Sequence, residues 1–169
     1  MVVWLIGLSG AGKTTLATEI VARVNSKSVN TVLLDGDVIR EVFGNDLGYS
    51  IEDRLLNARR ICQLGKLLDD QGINVVCAIL SIFAESREWN RKNLKNYYEV
   101  YIDTPIDILE KRDSKGIYMR YKSEELSEVA GKDLDFPVPE NPDLVIRNIH
   151  SKDKLVSFAK PIAQKILNS

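Results

Sequence analysis

Short apolar runs alternate along this chain with longer segments in which apolar residues recur at helical spacing. The apolar runs predict five strands, at residues 2–6, 31–34, 73–78, 98–102 and 144–146. The helical spacing predicts helices over 15–24, 53–71, 86–94 and 152–167. Pro105 is expected to open a further helix, because proline is favoured in the first turn. This alternation predicts an α/β fold: a central parallel sheet with helices on both faces and ligands at the carboxyl ends of the strands.

The long predicted helix 53–71 carries its apolar residues at a spacing that would turn them toward the sheet. The residues expected on that inward face are Leu55, Leu56, Ile61, Leu64 and Leu67. The chain has 169 residues, which suits a single domain with a real core. Cys62 and Cys77 are too far apart in sequence for a C-x-x-C site, so we expect both to be small core residues.

Net charge and hydropathy narrow the class of protein. The formal net charge of -1 gives no indication of a nucleic-acid binder. No apolar run is long enough to span a bilayer, so no membrane partner is expected. The first predicted strand leaves no room for a signal peptide before it, and a cytoplasmic protein is expected.

Residues 7–14 fit the pattern G-x-x-x-x-G-K-[ST] and lie between a predicted strand and a predicted helix. In this context the pattern predicts a phosphate-binding P-loop rather than a simple glycine turn, because backbone N–H groups and the helix N-terminus both face the phosphates. Lys13 is expected to reach the β- and γ-phosphates of a bound NTP, and the Thr14 hydroxyl to bind Mg²⁺. The residues expected to bind ATP here are Gly10, Ala11, Gly12, Lys13, Thr14 and Thr15.

Residues 113–142 form a long polar segment that interrupts the alternation and is rich in glycine and proline. A segment of this length inside one domain is usually a functional lid or is disordered, and beside a P-loop a lid is the better interpretation. We call residues 113–142 the lid segment.

The remaining motifs favour a small-molecule kinase. No N-K-x-D motif of a GTPase is present, and the chain is small for a motor ATPase. A kinase needs a group that deprotonates the acceptor hydroxyl, and the only histidine, His150, is remote from the predicted strand ends that could face the P-loop. Asp35 and Asp37 flank a glycine directly after the second predicted strand, where they could serve Mg²⁺ and the acceptor. A solvated turn would explain the same three residues.

Several segments occur in an order that resembles the adenylyl-sulfate (APS) kinase family over nearly the whole chain. Besides the P-loop, these segments are L-D-G-D at 34–37, D-L-G-Y-S at 46–50, D-R-x-x-N-x-R-R at 53–60, D-T-P at 103–105, R-D-S-K-G-I-Y at 112–118 and P-E-N-P at 139–142. The resemblance implies an enzyme that transfers the γ-phosphate of ATP to the ribose 3'-hydroxyl of a nucleotide with a 5' mixed anhydride. It also suggests a homodimer, by analogy alone.

The same resemblance assigns roles to individual residues. Asp37 resembles the catalytic base, and Arg112 and Lys115 begin a lid over ATP. The residues placed on the acceptor side are Asp35, Arg40, Tyr49, Arg54, Asn57, Ser81 and Phe136. Of these, Tyr49 and Phe136 would sandwich the acceptor base, as aromatic faces can. From its spacing along the predicted helix alone, Arg54 would instead be expected on a solvent-exposed face.

Departures from the family pattern fall on the acceptor side. APS kinases usually read I-S-P-F-R where this chain reads L-S-I-F-A at 80–84, so a proline and an arginine are absent. The usual D-G-D-N ends here in Val38, and the usual G-I-D-S-x-Y-E is G-K-D-L-D-F-P at 131–137. These changes resemble a branch linked to capsule polysaccharide synthesis, some members of which phosphorylate cytidine diphosphoramidate. Both acceptors stay open, with the cytidine compound slightly favoured.

Two rival interpretations also stay open. One is a regulatory module that binds ATP without transferring phosphate. The other is a P-loop kinase for sugars or antibiotics, against which the aromatic residues Tyr49 and Phe136 count, since they suit an acceptor with a base.

Overall fold

Five parallel strands form one sheet in a computed structural model that describes all 169 residues. The strands are β1 (Val2–Ile6), β2 (Thr31–Asp35), β3 (Asn74–Ile79), β4 (Tyr97–Asp103) and β5 (Leu144–Arg147). Their order across the sheet is β2-β3-β1-β4-β5. The central strand, β1, pairs with β3 on one side and with β4 on the other, so the P-loop that follows it leaves the middle of the sheet.

Eight helices connect and cover the strands. They are α1 (Lys13–Asn25), α2 (Gly36–Val42), α3 (Ile51–Asp70), α4 (Ala84–Asn93), α5 (Ile106–Arg112), α6 (Ile117–Lys122), α7 (Lys152–Ser157) and α8 (Ala159–Leu167). None of them is both long enough and apolar enough to cross a membrane. The α/β fold predicted from the alternation is confirmed.

The two faces of the sheet bury separate apolar cores. Because side chains alternate along a strand, Val3 and Leu5 of β1 join the core that includes α1 and α8, whereas Trp4 joins the core on the side of α3. All five residues of β1 are completely buried, as expected for a strand covered on both faces. Cys62 and Cys77 are buried free thiols, as predicted.

The structure corrects three of the sequence-based expectations. The terminal segment is two helices rather than one, with a break at Phe158, because Pro161 has no N–H to donate back and fits only in the first turn of α8. Leu56 and Leu67 are 49% and 55% exposed, so they do not face the sheet. The D-G-D turn begins a helix, α2, which the pattern did not predict.

The inward face of α3 is carried largely by small and polar residues instead. Its buried residues are Asn57, Ala58, Ile61, Cys62, Gly65 and Asp69. Ile61 is buried and Leu64 packs against the core as predicted, so apolar spacing misplaced Leu56 and Leu67 and missed the small and polar residues that pack tightly on the sheet.

Candidate active site

The P-loop leaves β1 with two glycines in the left-handed region. Gly10 has a φ of 77° and Gly12 a φ of 96°. At these values the backbone of any residue that carries a side chain would be strained. A Cβ atom on Gly12 would also collide with Leu155 of α7. The side chain of Asn148, which follows β5, donates to the carbonyl of Ala11 at 2.9 Å and so holds the loop in place. The loop thus needs both glycines for its conformation and Gly12 also for its packing.

Lys13 turns its ammonium group back onto the loop. Its Nζ donates to the carbonyls of Gly7 and Leu8, each at 2.8 Å. Burial and then the nearby Lys115 lower the pKa of Lys13 to about 8, against the opposing effect of Asp35 and Asp37. Burial thus disfavours the charged ammonium, and an anionic ligand in the P-loop would offset this cost.

Asp35 connects the P-loop to the start of α2. Its Oδ2 accepts from the Thr14 hydroxyl at 2.6 Å, and its Oδ1 accepts from the backbone N–H of Asp37 at 3.0 Å. The second contact makes Asp35 the N-cap of α2, which explains why the D-G-D turn continues as a helix. Because both oxygens of Asp35 face Thr14 and α2, its geometry favours support of the phosphate side over direct contact with the acceptor.

The lid segment meets the catalytic candidate directly. Lys115 Nζ lies 2.5 Å from Asp37 Oδ2, and the two side chains are each about half exposed. Burial lowers the pKa of Lys115, but the hydrogen bond and charge of Asp37 outweigh it and the net pKa is raised. Arg112, by contrast, donates to the carbonyls of Asn148 and His150, so it braces the segment after β5.

A cleft of about 640 Å³ opens between the P-loop and the lid segment. This is the size of a pocket for a small ligand. Its walls include most of the predicted ATP-binding residues: Gly10, Gly12, Lys13, Thr14, Thr15 and Lys115. Six lid residues without a predicted role also line it, namely Ser114, Ile117, Arg120, Leu126, Val129 and Ala130. Only their position within the lid segment could have indicated them.

A second, smaller cleft of about 90 Å³ adjoins the first, since Asp37, Tyr49 and Arg54 line both. Its wall gathers five of the residues predicted on the acceptor side: Arg40, Tyr49, Arg54, Asn57 and Ser81. The guanidinium groups of Arg40 and Arg54 lie 4.9 and 5.7 Å from the centre of the Tyr49 ring. The structure therefore brings together residues from α2, α3 and the loops after α2 and β3.

Two buried polar atoms in this wall lack a hydrogen-bond partner. They are Nη1 of Arg40 and Oδ1 of Asn57, and such unpaired buried groups are uncommon. The Arg54 side chain donates to the carbonyls of Tyr49 and Glu128, which fixes it across the cleft entrance. Burial and then Arg40 lower the pKa of Arg54. Unpaired polar atoms beside two cations are the features of a site for an anionic, hydrogen-bonding molecule.

Phe136 is not among the residues that line either cleft. It is partly buried and stacks on Tyr101 of β4, with ring centres 6.0 Å apart. Tyr49 is 58% exposed. The predicted sandwich of Tyr49 and Phe136 around a base stays a prediction.

The comparisons with known proteins agree with this geometry. The family model described as adenylylsulphate kinase matches residues 1–147. An adenylyl-sulfate kinase of Clostridium kluyveri is 40% identical over 147 residues, covering 86% of this chain and 74% of the relative. A cytidine diphosphoramidate kinase of Campylobacter jejuni is also 40% identical over 147 residues, covering 87% of this chain and 85% of the relative.

A solved structure supports the same family assignment. The Mycobacterium tuberculosis APS kinase CysC, in complex with AMPPNP and APS, superimposes with a TM-score of 0.88 at 34% identity, covering 99% of this chain and 97% of that one. Family membership and the P-loop geometry support ATP as the phosphate donor. The chain therefore belongs to the adenylylsulphate kinase family, and it is a nucleotide kinase.

Proposed function

We propose that this chain transfers the γ-phosphate of ATP to the ribose 3'-hydroxyl of a nucleotide that carries a 5' mixed anhydride. The observation that carries the proposal is the position of Asp37. Asp37 lines both the P-loop cleft and the smaller cleft beside it, and it touches Lys115 of the lid segment. A carboxylate at the junction of the two clefts is in position to take the proton that the acceptor hydroxyl must lose during phosphoryl transfer.

The chemistry follows from these positions. ATP would bind along the P-loop, with Lys13 and Lys115 against its terminal phosphates. The acceptor would place its 5' anhydride in the smaller cleft, which at about 90 Å³ holds only part of a nucleotide, and Arg40, Arg54 and Asn57 offer charge and hydrogen bonds there. Asp37 would take the proton of the 3'-hydroxyl as its oxygen bonds to the γ-phosphorus, and ADP would leave.

The oxygen donors at the P-loop fit a magnesium ion. Thr14 presents a hydroxyl backed by the buried Asp35 carboxylate, and hard oxygen ligands are what Mg²⁺ prefers. The chain holds no cluster of three or more acidic, histidine or cysteine side chains. Thr14 would therefore be the protein ligand, and the ion would neutralise charge on the phosphates.

For the acceptor, we propose cytidine diphosphoramidate, with adenylyl sulfate as the alternative. Equal identity to a kinase of each kind leaves the choice to individual residues. The loop that lines the acceptor cleft, residues 80–83, runs directly into Ala84, an exposed residue at the start of α4 where the family usually has arginine. A terminal sulfate presents only acceptor oxygens, which arginine donors suit, whereas a terminal phosphoramidate also carries an NH2 donor that an arginine cannot pair; the absence of arginine there therefore favours the phosphoramidate. The product would then serve phosphoramidate decoration of a capsule.

The test is ADP release with Mg·ATP and each acceptor in parallel, compared by kcat/KM. We expect turnover with both nucleotides and a higher kcat/KM for the cytidine compound. Ala84→Arg should shift the ratio toward adenylyl sulfate by about tenfold, the value of one charge-assisted hydrogen bond. Asn93→Arg adds the same charge at the exposed far end of α4 and should leave the ratio unchanged.

The outcomes separate the alternatives. A strong preference of the unmodified chain for adenylyl sulfate would reject the cytidine compound and leave the nucleotide kinase intact. ATP binding without ADP release would support a regulatory module, and ADP release with a sugar but with no nucleotide would support a sugar kinase.

A further inference from the structure

Ser81 has a backbone conformation that serine rarely adopts. Its φ is 55°, in the left-handed region, and the residue is only 5% exposed. It follows β3 and lines the smaller cleft between Leu80 and Ile82. A strained residue of this kind persists only where its surroundings hold it, and such residues concentrate at functional sites.

Two buried side chains hold Ser81 from behind the cleft. The indole Nε1 of Trp4, on β1, donates to the Ser81 hydroxyl at 3.2 Å. The Nη1 of Arg87, on α4, donates to the Ser81 carbonyl at 2.8 Å. Trp4 is completely buried and Arg87 is 8% exposed, so neither contact is open to competition from bulk water.

Arg87 is the more unusual of the two. Burying a guanidinium is costly unless it is well paired, yet the Arg87 contact goes to a neutral carbonyl rather than to a carboxylate. Arg87 does not line either cleft, so it has no direct route to a ligand there. The hydrogen bond that connects Arg87 to the cleft wall goes to Ser81, in the loop at 80–83.

We propose that Arg87 is a positioning residue for the acceptor: by binding the Ser81 carbonyl it fixes the strained loop that forms one wall of the acceptor cleft. Of this loop only Leu80 also lines the donor cleft, whose walls come mainly from the P-loop and the lid segment. Arg87 therefore influences acceptor binding more than ATP binding. This inference rests on the proposed function, which places the acceptor in the smaller cleft.

The kinetic test uses the full chain with Mg·ATP and the better of the two acceptors. We expect Arg87→Gln to raise the acceptor KM by about tenfold, as removal of a charge-assisted hydrogen bond does, and to leave the ATP KM within about twofold. Arg87→Lys keeps a charged donor and should recover part of the loss. Lys92→Gln removes an exposed cation from the same helix and serves as the matched control.

Repeating the Arg87→Gln substitution in a Ser81→Gly variant separates a positioning role of Arg87 from a general effect on folding. Glycine adopts a φ of 55° without strain, so Ser81→Gly should need less restraint from Arg87. In that background we expect Arg87→Gln to raise the acceptor KM by less than about threefold. An equal effect in both backgrounds, or an equal rise of both KM values, would overturn the proposal.

The contact can also be followed without turnover. The indole N–H resonance of Trp4 reports on the Ser81 hydroxyl, and it should shift in Arg87→Gln but not in Lys92→Gln. An unshifted resonance would contradict the link between Arg87 and Ser81 even if activity changed. Absence of ADP release with either acceptor in the unmodified chain would instead reject the proposed function, and the resonance would still decide whether Arg87 holds Ser81.

Discussion

Replacing Lys13 with methionine should make the protein more stable in the absence of nucleotide while abolishing catalysis. Lowering the pKa of a lysine from 10.5 to about 8 corresponds to about 3 kcal/mol of unfavourable free energy for the charged form in the folded state. Lys13→Met removes this cost. It also leaves the carbonyls of Gly7 and Leu8 without the ammonium donor, at about 1 kcal/mol each. The difference leaves the variant more stable by about 1 kcal/mol.

Thermal unfolding near neutral pH measures this difference. For a domain of this size, 1 kcal/mol corresponds to a rise in Tm of about 3 °C. Saturating ATP, at about 100 times its Kd, should stabilise the unmodified chain by about 2.7 kcal/mol and the variant far less. The order of the two Tm values should therefore reverse when ATP is added. Lys92→Met, at an exposed lysine, should show neither effect.

The pH dependence supplies an independent check. The folded-state pKa of Lys13 lies below its unfolded value, so the cost is fully present below about pH 8 and disappears as pH rises toward 10.5. The stability advantage of Lys13→Met should shrink over the same interval. A variant that is less stable than the unmodified chain at neutral pH, or an advantage that is constant with pH, would refute the reasoning.

Three further predictions concern catalysis, the P-loop and the thiols. Asp37→Asn should lower kcat by at least about 100-fold with the ATP Kd within about threefold; an equal loss of ATP binding by calorimetry would contradict its role as the base. Gly12→Ala should lower the free energy of unfolding by more than about 1 kcal/mol, because of its φ of 96° and the collision with Leu155; denaturant unfolding with an unchanged midpoint would count against this packing. Burial raises the pKa of Cys62 to about 11 and that of Cys77 well above its usual value, so few thiolates form at about pH 8. Because the thiolate is the reactive form, a thiol reagent at that pH should label the folded chain far more slowly than the unfolded one. Fast labelling of either thiol in the folded chain would show that it is accessible.

Local sequence signals predicted most of the fold because strands and helices carry their own patterns. The five strands and the P-loop lie within one or two residues of the expected positions. The errors occurred where a single residue decides where a helix begins or ends. The side chain of Asp35 caps α2, and Pro161 separates α7 from α8, and neither effect follows from the spacing of apolar residues.

The two halves of the active site differ in how far sequence could specify them. The centre of the phosphate side, the P-loop, is one continuous stretch, residues 7–14, so its motif contains its own geometry. The acceptor side is assembled from separate segments around 36–40, 49–57 and 79–83, and its contacts join distant residues. Arg54 and Glu128, whose carbonyl the Arg54 side chain binds, are for example 74 positions apart in sequence.

The same asymmetry explains why acceptor identity is harder to infer than the reaction. Phosphoryl transfer needs a cradle, a cation and a base; the P-loop forms the cradle, and we propose Thr14 for binding the cation and Asp37 as the base. We propose that acceptor choice depends on the surroundings of the smaller cleft, where Ala84, which does not itself line the cleft, follows a loop held by a strained Ser81. A change at such a position alters charge at the acceptor without disturbing the phosphate side. The family can therefore keep one reaction while its members differ in acceptor, and the Ala84→Arg exchange probes that freedom directly.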